Sequence, residues 1–238
     1  FELLNRNVDQ PYKYVGTSAE CGLAEAPMVV APATHDTGAA VAAVPAEGAS
    51  GWGYVSSGTW SLMGVEIPGP KVTDAALEGN FTNEGGVAGT IRFLRNIMGL
   101  WLVQECRRQW AREGREMDYD HLTSMAEKAA PLQTLVVPDN PAFFPPGDMP
   151  SRLREFATKT SQPVPKDEGA MVRCALESLA LTYRRTAEKI EAVTGSRIDR
   201  LHVVGGGSRN RLLNQFTASA LGRPVVAGPV EATALGNV

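Results

Sequence analysis

The sequence predicts an α/β fold, because short apolar strands alternate with amphipathic helices along it. The clearest unit is Leu201-His202-Val203-Val204 as a strand, Gly205-Gly206-Gly207 as a loop, and a helix from Arg209 to Leu221 ended by Gly222 and Pro224. Val225-Val226-Ala227 is one more strand, and Ala232 to Leu235 begins a further helix. Before this unit, residues 169–194 place Val172, Leu176, Leu179, Tyr183, Ile190 and Val193 on one helical face, and Gly195 stops the helix.

The remaining elements follow in chain order. Residues 1–27 read as irregular chain, and Met28-Val29-Val30-Ala31 as a short buried strand. Thr34-His35-Asp36-Thr37 precedes a small-residue stretch, 38–44, suited to a tightly packed helix, and the Ala/Gly/Ser-rich segment 45–51 is a candidate linker. Gly53 to Ser56 and Thr59 to Met63 read as two strands around a Ser57-Gly58 turn, and Thr82 to Gly86 as a loop. Phe93, Leu94, Ile97, Leu100, Trp101 and Gln104 recur at helical spacing, which predicts one helix over 91–110. A short helix is expected over 121–129 with Asp120 as its cap. Residues 138–168 hold seven of the sixteen prolines and read as a surface excursion with little regular structure.

Composition restricts the function classes. Of 238 residues 43% are hydrophobic and 21% charged, an ordinary globular balance, and a net charge of -3 gives no global attraction for nucleic acid or anionic lipid. No apolar run reaches the roughly 18–20 residues a membrane helix needs. Cys21, Cys106 and Cys174 are scattered and form no CxxC pair, which favours a reducing cytoplasm.

Four features could carry chemistry. The Gly205-Gly206-Gly207-Ser208 turn lets backbone N–H groups approach an anion at a helix start, and equally reads as a tight turn with Ser208 capping the next helix. It is neither a Walker A loop nor a full G-x-G-x-x-G. Ser56-Ser57-Gly58-Thr59 sets hydroxyls beside a glycine, as a phosphate-holding turn or a plain hairpin does. Asp36, between a strand and a small-residue helix, suits either a general base or a helix N-cap, and His35 beside it reads as a hydrogen-bonded imidazole. Asn96 and Gln104, on one helix, would lie within about a quarter turn of each other, where amides bind ligand, satisfy backbone or meet solvent. Arg107, Arg108, Arg112 and Arg115 read as a solvated helix end.

Taken in order, these segments resemble one family. Thr34-His35-Asp36-Thr37-Gly38, Ser57-Gly58-Thr59-Trp60-Ser61-Leu62-Met63-Gly64, Thr82-Asn83-Glu84-Gly85-Gly86, Asn96-Ile97-Met98-Gly99-Leu100-Trp101, Val204-Gly205-Gly206-Gly207-Ser208 and Gly228-Pro229-Val230-Glu231-Ala232 are similar to motifs of the FGGY carbohydrate kinases. The resemblance implies a member that phosphorylates the 1-hydroxyl of L-rhamnulose with ATP. The resemblance implies two actin-like (ribonuclease H-like) lobes with sugar and ATP between them. It implies Asp36 as catalytic base, His35, Thr37 and Asn96 at the sugar, and Thr59, Gln104 and Gly206 at the nucleotide. Magnesium would bridge the ATP phosphates, with no protein ligand nominated.

On this reading residues 1–48 are the tail of the sugar-binding lobe and 49–238 the nucleotide-binding lobe, cut short at its end. The expected consequences are a chain inactive by itself, and apolar surface on segments 28–31 and 38–44 that invites dimerisation. The alternatives are another FGGY kinase, for xylulose, fuculose or glycerol, and a non-catalytic actin-like nucleotide-binding module.

Overall fold

A computed structural model describes residues 35–46, 48 and 50–237, so the expected strand at 28–31, and Cys21, lie outside the described residues. The described chain is α/β, as the alternation of elements predicts. Its centre is a six-stranded sheet formed by β1 (Trp52–Ser57), β2 (Trp60–Ile67), β3 (Thr82–Gly85), β4 (Ile91–Met98), β5 (Arg200–Val204) and β6 (Val225–Ala227). The strand order is β3-β4-β2-β1-β5-β6. The pairs β1–β2, β2–β4 and β3–β4 are antiparallel, with β3 on the outer edge of β4, and β1–β5 and β5–β6 pair parallel.

Strand side chains alternate between faces, so the register assigns each residue to one side. Val55, Met63, Val65, Phe93, Ile97, Leu201 and Val203 share one face and join the main core with Leu176, Leu179, Tyr183 and Ile190. Those four belong to the long helix Glu168–Thr194, whose N-cap Asp167 accepts from Ala170 N and whose C-cap Gly195 is left-handed (φ 74°). The opposite face carries Tyr54, Leu94 and Val204. These meet Val41 and Ala40 of α1 (Asp36–Ala42).

That packing corrects one expectation. Gly38 to Val41 are buried against the sheet and against α8 (Ala232–Leu235), so the apolar surface expected to be open on them is covered within the chain. The contact is close: a Cβ on Gly236 would fall 1.7 Å from the Ala39 carbonyl oxygen.

The segment 91–110 is not one helix. Ile91–Met98 is strand β4, Gly99 and Leu100 form the junction, and α3 runs Trp101–Arg112. Phe93, Leu94 and Ile97 satisfy helical spacing, but β2 offers a pairing partner to every residue from 91 to 98, and both faces find cover. Thr82–Gly85 is likewise strand β3 on the edge of β4, not a loop. The short helix expected at 121–129 is α4, Tyr119–Lys128, capped by Asp118 and not Asp120.

The proline-rich excursion contains a 3₁₀ turn, Pro141–Phe143, and a regular helix α5, Met149–Lys159. Pro150 stands in the first turn, where a missing N–H costs nothing, so a loop signal is a helix start. The Asp148 carboxylate caps α5, accepting from Ser151 N at 3.0 Å and Ser151 Oγ at 2.7 Å. Those bonds hold its pKa below the ordinary aspartate value.

Asp148→Ala should therefore destabilise the chain by about 1 kcal/mol near neutral pH. A depressed pKa means that this contribution is present above the unfolded-state value and is lost as pH falls through the folded one. Urea unfolding should show the wild-type and variant curves converging as the solution is acidified, with Asp148→Asn keeping the cap. A gap that stays constant with pH assigns the effect to packing instead.

The remaining helices are α2, Asp74–Glu78, α6, the long helix, and α7, Arg211–Leu221. The helix after the glycine loop was expected from Arg209 with Ser208 as its cap. Instead Gly206–Arg209 is a 3₁₀ turn, and Asn210 caps α7 through Leu213 N at 2.9 Å. Cys106 and Cys174 are buried free thiols, and burial pushes Cys174 up to about 12.

Candidate active site

Because β1 and β5 run parallel, Ser57 and Val204 end side by side, and the turn after each leaves the same edge of the sheet. The two turns touch. A Cβ on Gly207 would lie 2.1 Å from Ser57 Oγ, so only glycine lets the 3₁₀ turn seat on the hairpin. Gly206 next to it is exposed and faces open space, with nothing within 4 Å of an added Cβ. Ser208 turns inward, donating from N at 3.0 Å and Oγ at 2.7 Å to Gly205 O. The Gly206 and Gly207 N–H groups have no acceptor among the described residues. This is a donor pair at the start of a helical turn with room beside it, which suits phosphate oxygens.

The hairpin turn is anchored on its other side to the start of α3. Gly58 O accepts from Leu100 N at 3.0 Å, and Thr59 O accepts from Gly99 N at 3.1 Å and Trp101 N at 3.2 Å. The Thr59 hydroxyl donates to Gln104 Oε1 at 3.0 Å. That bond leaves the Gln104 Nε2 amide to donate outward. Beneath the turn, the Tyr183 hydroxyl of α6 lies 2.6 Å from Ser61 Oγ, and burial raises this phenol to about 12, so it stays neutral. The proline-rich excursion braces α3 as well: Trp101 Nε1 donates to Phe143 O at 3.0 Å, and Gly147 N donates to the fully buried Glu105 at 2.8 Å. Arg108 pairs with that same Glu105 and Arg107 donates to Met117 O at 2.8 Å, so the arginines expected in solvent are partly structural.

The other nominated residues cluster at α1. His35, not Asp36, is its N-cap, its Nδ1 accepting from Thr37 N at 3.4 Å. Asp36 is thereby released from the capping role and stands exposed in the first turn. The Thr233 hydroxyl of α8 donates to Asp36 O at 3.2 Å. The chain leading into α8 is tied to the glycine turn, since Gly205 N donates to Pro229 O at 3.1 Å. One short segment, 229–233, thus holds the glycine turn at one end and Asp36 at the other.

Thr59, Gln104 and Gly206 are brought to one edge, and His35, Asp36 and Thr37 to one helix start. Asn96 parts from Gln104: it lies exposed on β4, opposite Leu62 and on the sheet face that α1 covers. Arg92 and Thr233 escaped the sequence reading, which placed Tyr183 only on the apolar face of the long helix. Arg92 gave only the signal of a charge between apolar residues, which an exposed arginine gives equally.

The paired turns gather donors suited to phosphate oxygens at one edge of the sheet. The chain belongs to the FGGY family of carbohydrate kinases, whose C-terminal domain matches residues 53–238. Among curated relatives it is 51% identical over 233 residues to the rhamnulokinase of Bacteroides thetaiotaomicron, covering 96% of this chain and 47% of that protein. It is 41% identical over 210 residues to the rhamnulokinase of Bacillus subtilis, covering 88% and 42%. The chain therefore spans about half the length of these relatives. Among solved structures, the xylulose kinase of Rhodospirillum rubrum aligns with a TM-score of 0.67 at 18% identity, over 95% of this chain and 46% of that one. A glycerol kinase of Plasmodium falciparum with ADP aligns at 0.62 and 12% identity, over 96% and 45%. These likenesses establish the fold: the actin-like, ribonuclease H-like ATPase fold.

Proposed function

We propose that this chain supplies the base and the nucleotide-gripping turns of a kinase that transfers the γ-phosphate of ATP to the 1-hydroxyl of L-rhamnulose, giving L-rhamnulose 1-phosphate and ADP. The observation that carries this reading is the 229–233 tie, which sets the Asp36 helix start and the glycine turn in one frame. Asp36 accepts the proton of the 1-hydroxyl as that oxygen attacks phosphorus. His35, Thr37 and Asn96 orient the sugar, and Thr59, Gln104 and Gly206 receive the phosphates. Positioning and charge neutralisation supply most of the rate in phosphoryl transfer, and amide and hydroxyl donors serve both. The donor set fits phosphate oxygens, so magnesium would be carried on the nucleotide and its waters, neutralising phosphate charge.

We place the lobe boundary near residue 48, with 49–238 as the nucleotide-binding lobe, and infer that sugar turnover needs the sugar lobe as well. The free thiols fit a reducing cytoplasm. No described helix is long and apolar enough to cross a membrane.

A coupled ADP-release assay tests the reading. The chain alone is expected to show no sugar-dependent ADP release. The full-length polypeptide should turn over L-rhamnulose in preference to xylulose, fuculose and glycerol. Preference for another of these sugars replaces the substrate. ADP–Mg²⁺ binding without any sugar-dependent release would point to a non-catalytic nucleotide module.

A further inference from the structure

The least expected side chain near the candidate site is Arg92. It lies on β4, is 3% exposed, and reaches from the sheet to the start of α1. Its guanidinium is held on two sides by β3: Nε donates to Gly85 O at 2.9 Å, and Nη2 pairs with Glu84 Oε2 at 3.1 Å. The remaining arm, Nη1, donates to Thr37 Oγ1 at 2.9 Å. Thr37 Oγ1 in turn lies 2.6 Å from His35 Nδ1.

Donor chemistry gives this chain a direction. A guanidinium only donates, so Thr37 Oγ1 accepts from Arg92 and keeps its proton for another partner. A backbone N–H also only donates, and Thr37 N points at His35 Nδ1 from 3.4 Å. The Nδ1 lone pair is therefore already engaged, and the Thr37 hydroxyl adds its proton to the same atom. The ring proton of neutral His35 then sits on Nε2, on an exposed side chain.

We propose that Arg92 is a positioning residue: acting through Thr37, it fixes His35 with Nδ1 as acceptor and Nε2–H outward. His35 then meets the sugar as a hydrogen-bond donor to one of its oxygens and does not act as the base, which leaves proton removal to Asp36. The part concerning sugar rests on the function proposed above; the imidazole geometry does not. Strand β3, on the edge of β4, supplies through Glu84 and Gly85 the grip on the guanidinium.

The experiment is nitrogen-15 NMR on the histidine-labelled chain at about pH 8, where an ordinary imidazole is neutral. The chain has three histidines, so His35→Gln assigns the spectrum. The expected result is a protonated Nε2, with an Nδ1 resonance displaced by hydrogen bonding from its position in the urea-unfolded chain. Thr37→Ser should retain that displacement. Thr37→Val and Arg92→Met should each reduce it to the small part that the backbone N–H of residue 37 sustains, while leaving His121 and His202 in place. A protonated Nδ1 in the wild type, or a displacement unchanged in Thr37→Val, overturns the proposal. Thr37→Val removes one hydroxyl from a half-buried site, so the test stands even where Arg92→Met fails to fold.

A kinetic arm on the full-length polypeptide separates the two layers. Losing one aligned hydrogen bond should raise the sugar KM roughly fivefold in Arg92→Met, a residue given no sugar contact of its own, with the ATP KM unchanged. An unaltered sugar KM alongside the expected spectra would remove His35 from the sugar and leave its tautomer as found.

Discussion

Asp36→Asn in the full-length polypeptide is expected to lower kcat by about 10²–10⁴-fold, the usual contribution of a positioned general base. The amide keeps the size and hydrogen-bonding reach of the carboxylate but cannot take a proton, so the KM values for sugar and nucleotide should change little. Stability should hardly move. Asp36 is exposed, its side chain does not cap α1, and the Thr233 bond is to its backbone carbonyl, which substitution leaves alone. That separation makes the measurement informative: an unchanged urea midpoint beside a collapsed kcat is the signature of lost chemistry. Turnover within a few-fold of wild type would take Asp36 out of the mechanism.

The second large effect is expected at Gly207, and its neighbour supplies the contrast. An alanine at 207 puts a methyl 2.1 Å from Ser57 Oγ, 2.7 Å from Ser57 Cβ and 3.0 Å from Ser57 O. Two of those three atoms belong to a buried side chain and one to backbone, so the glycine turn and the hairpin must part. Overpacking of this kind typically costs about 1–3 kcal/mol. Because the same contact aligns the turns that would receive phosphate, Gly207→Ala should also abolish ADP–Mg²⁺ binding by calorimetry. Gly206→Ala meets open space, so its unfolding free energy should stay within about 0.5 kcal/mol of wild type. Its methyl would nevertheless stand where a phosphate approaches, and nucleotide affinity should fall. Equal stability losses in both variants, or intact ADP binding in Gly207→Ala, would refute this account of the turn.

Much of the frame is legible because its signals are local. The long helix over Glu168–Thr194 carries its apolar stripe, an aspartate cap and a left-handed glycine stop within its own residues. The strand at 200–204, the glycine turn after it and the helix closed by Gly222 are similarly self-contained. Where two periods agree with the same residues, local reading fails. Phe93, Leu94 and Ile97 fit a helix as well as a strand buried on both faces, and only the presence of β2 alongside selects the strand. Helix α5 hides because Pro150 in its first turn looks like a loop residue until Asp148 is seen capping it.

The candidate site divides in the same way. Its residue types and their order along the chain belong to the sequence: a carboxylate before small residues, hydroxyls around Gly58, and three successive glycines. Their partnerships do not. Thr59 with Gln104, Gly207 with Ser57, Thr233 with Asp36, and Arg92 with Thr37 are separated by up to 197 positions along the chain. Backbone propensity acts over a turn or two, so the sequence alone determined which groups were available and which segments were helix-forming or glycine-hinged. Sheet pairing and the close approach of packed helices act at a distance. They decided that β4 is a strand and that a buried arginine reaches Thr37 at the helix start next to Asp36.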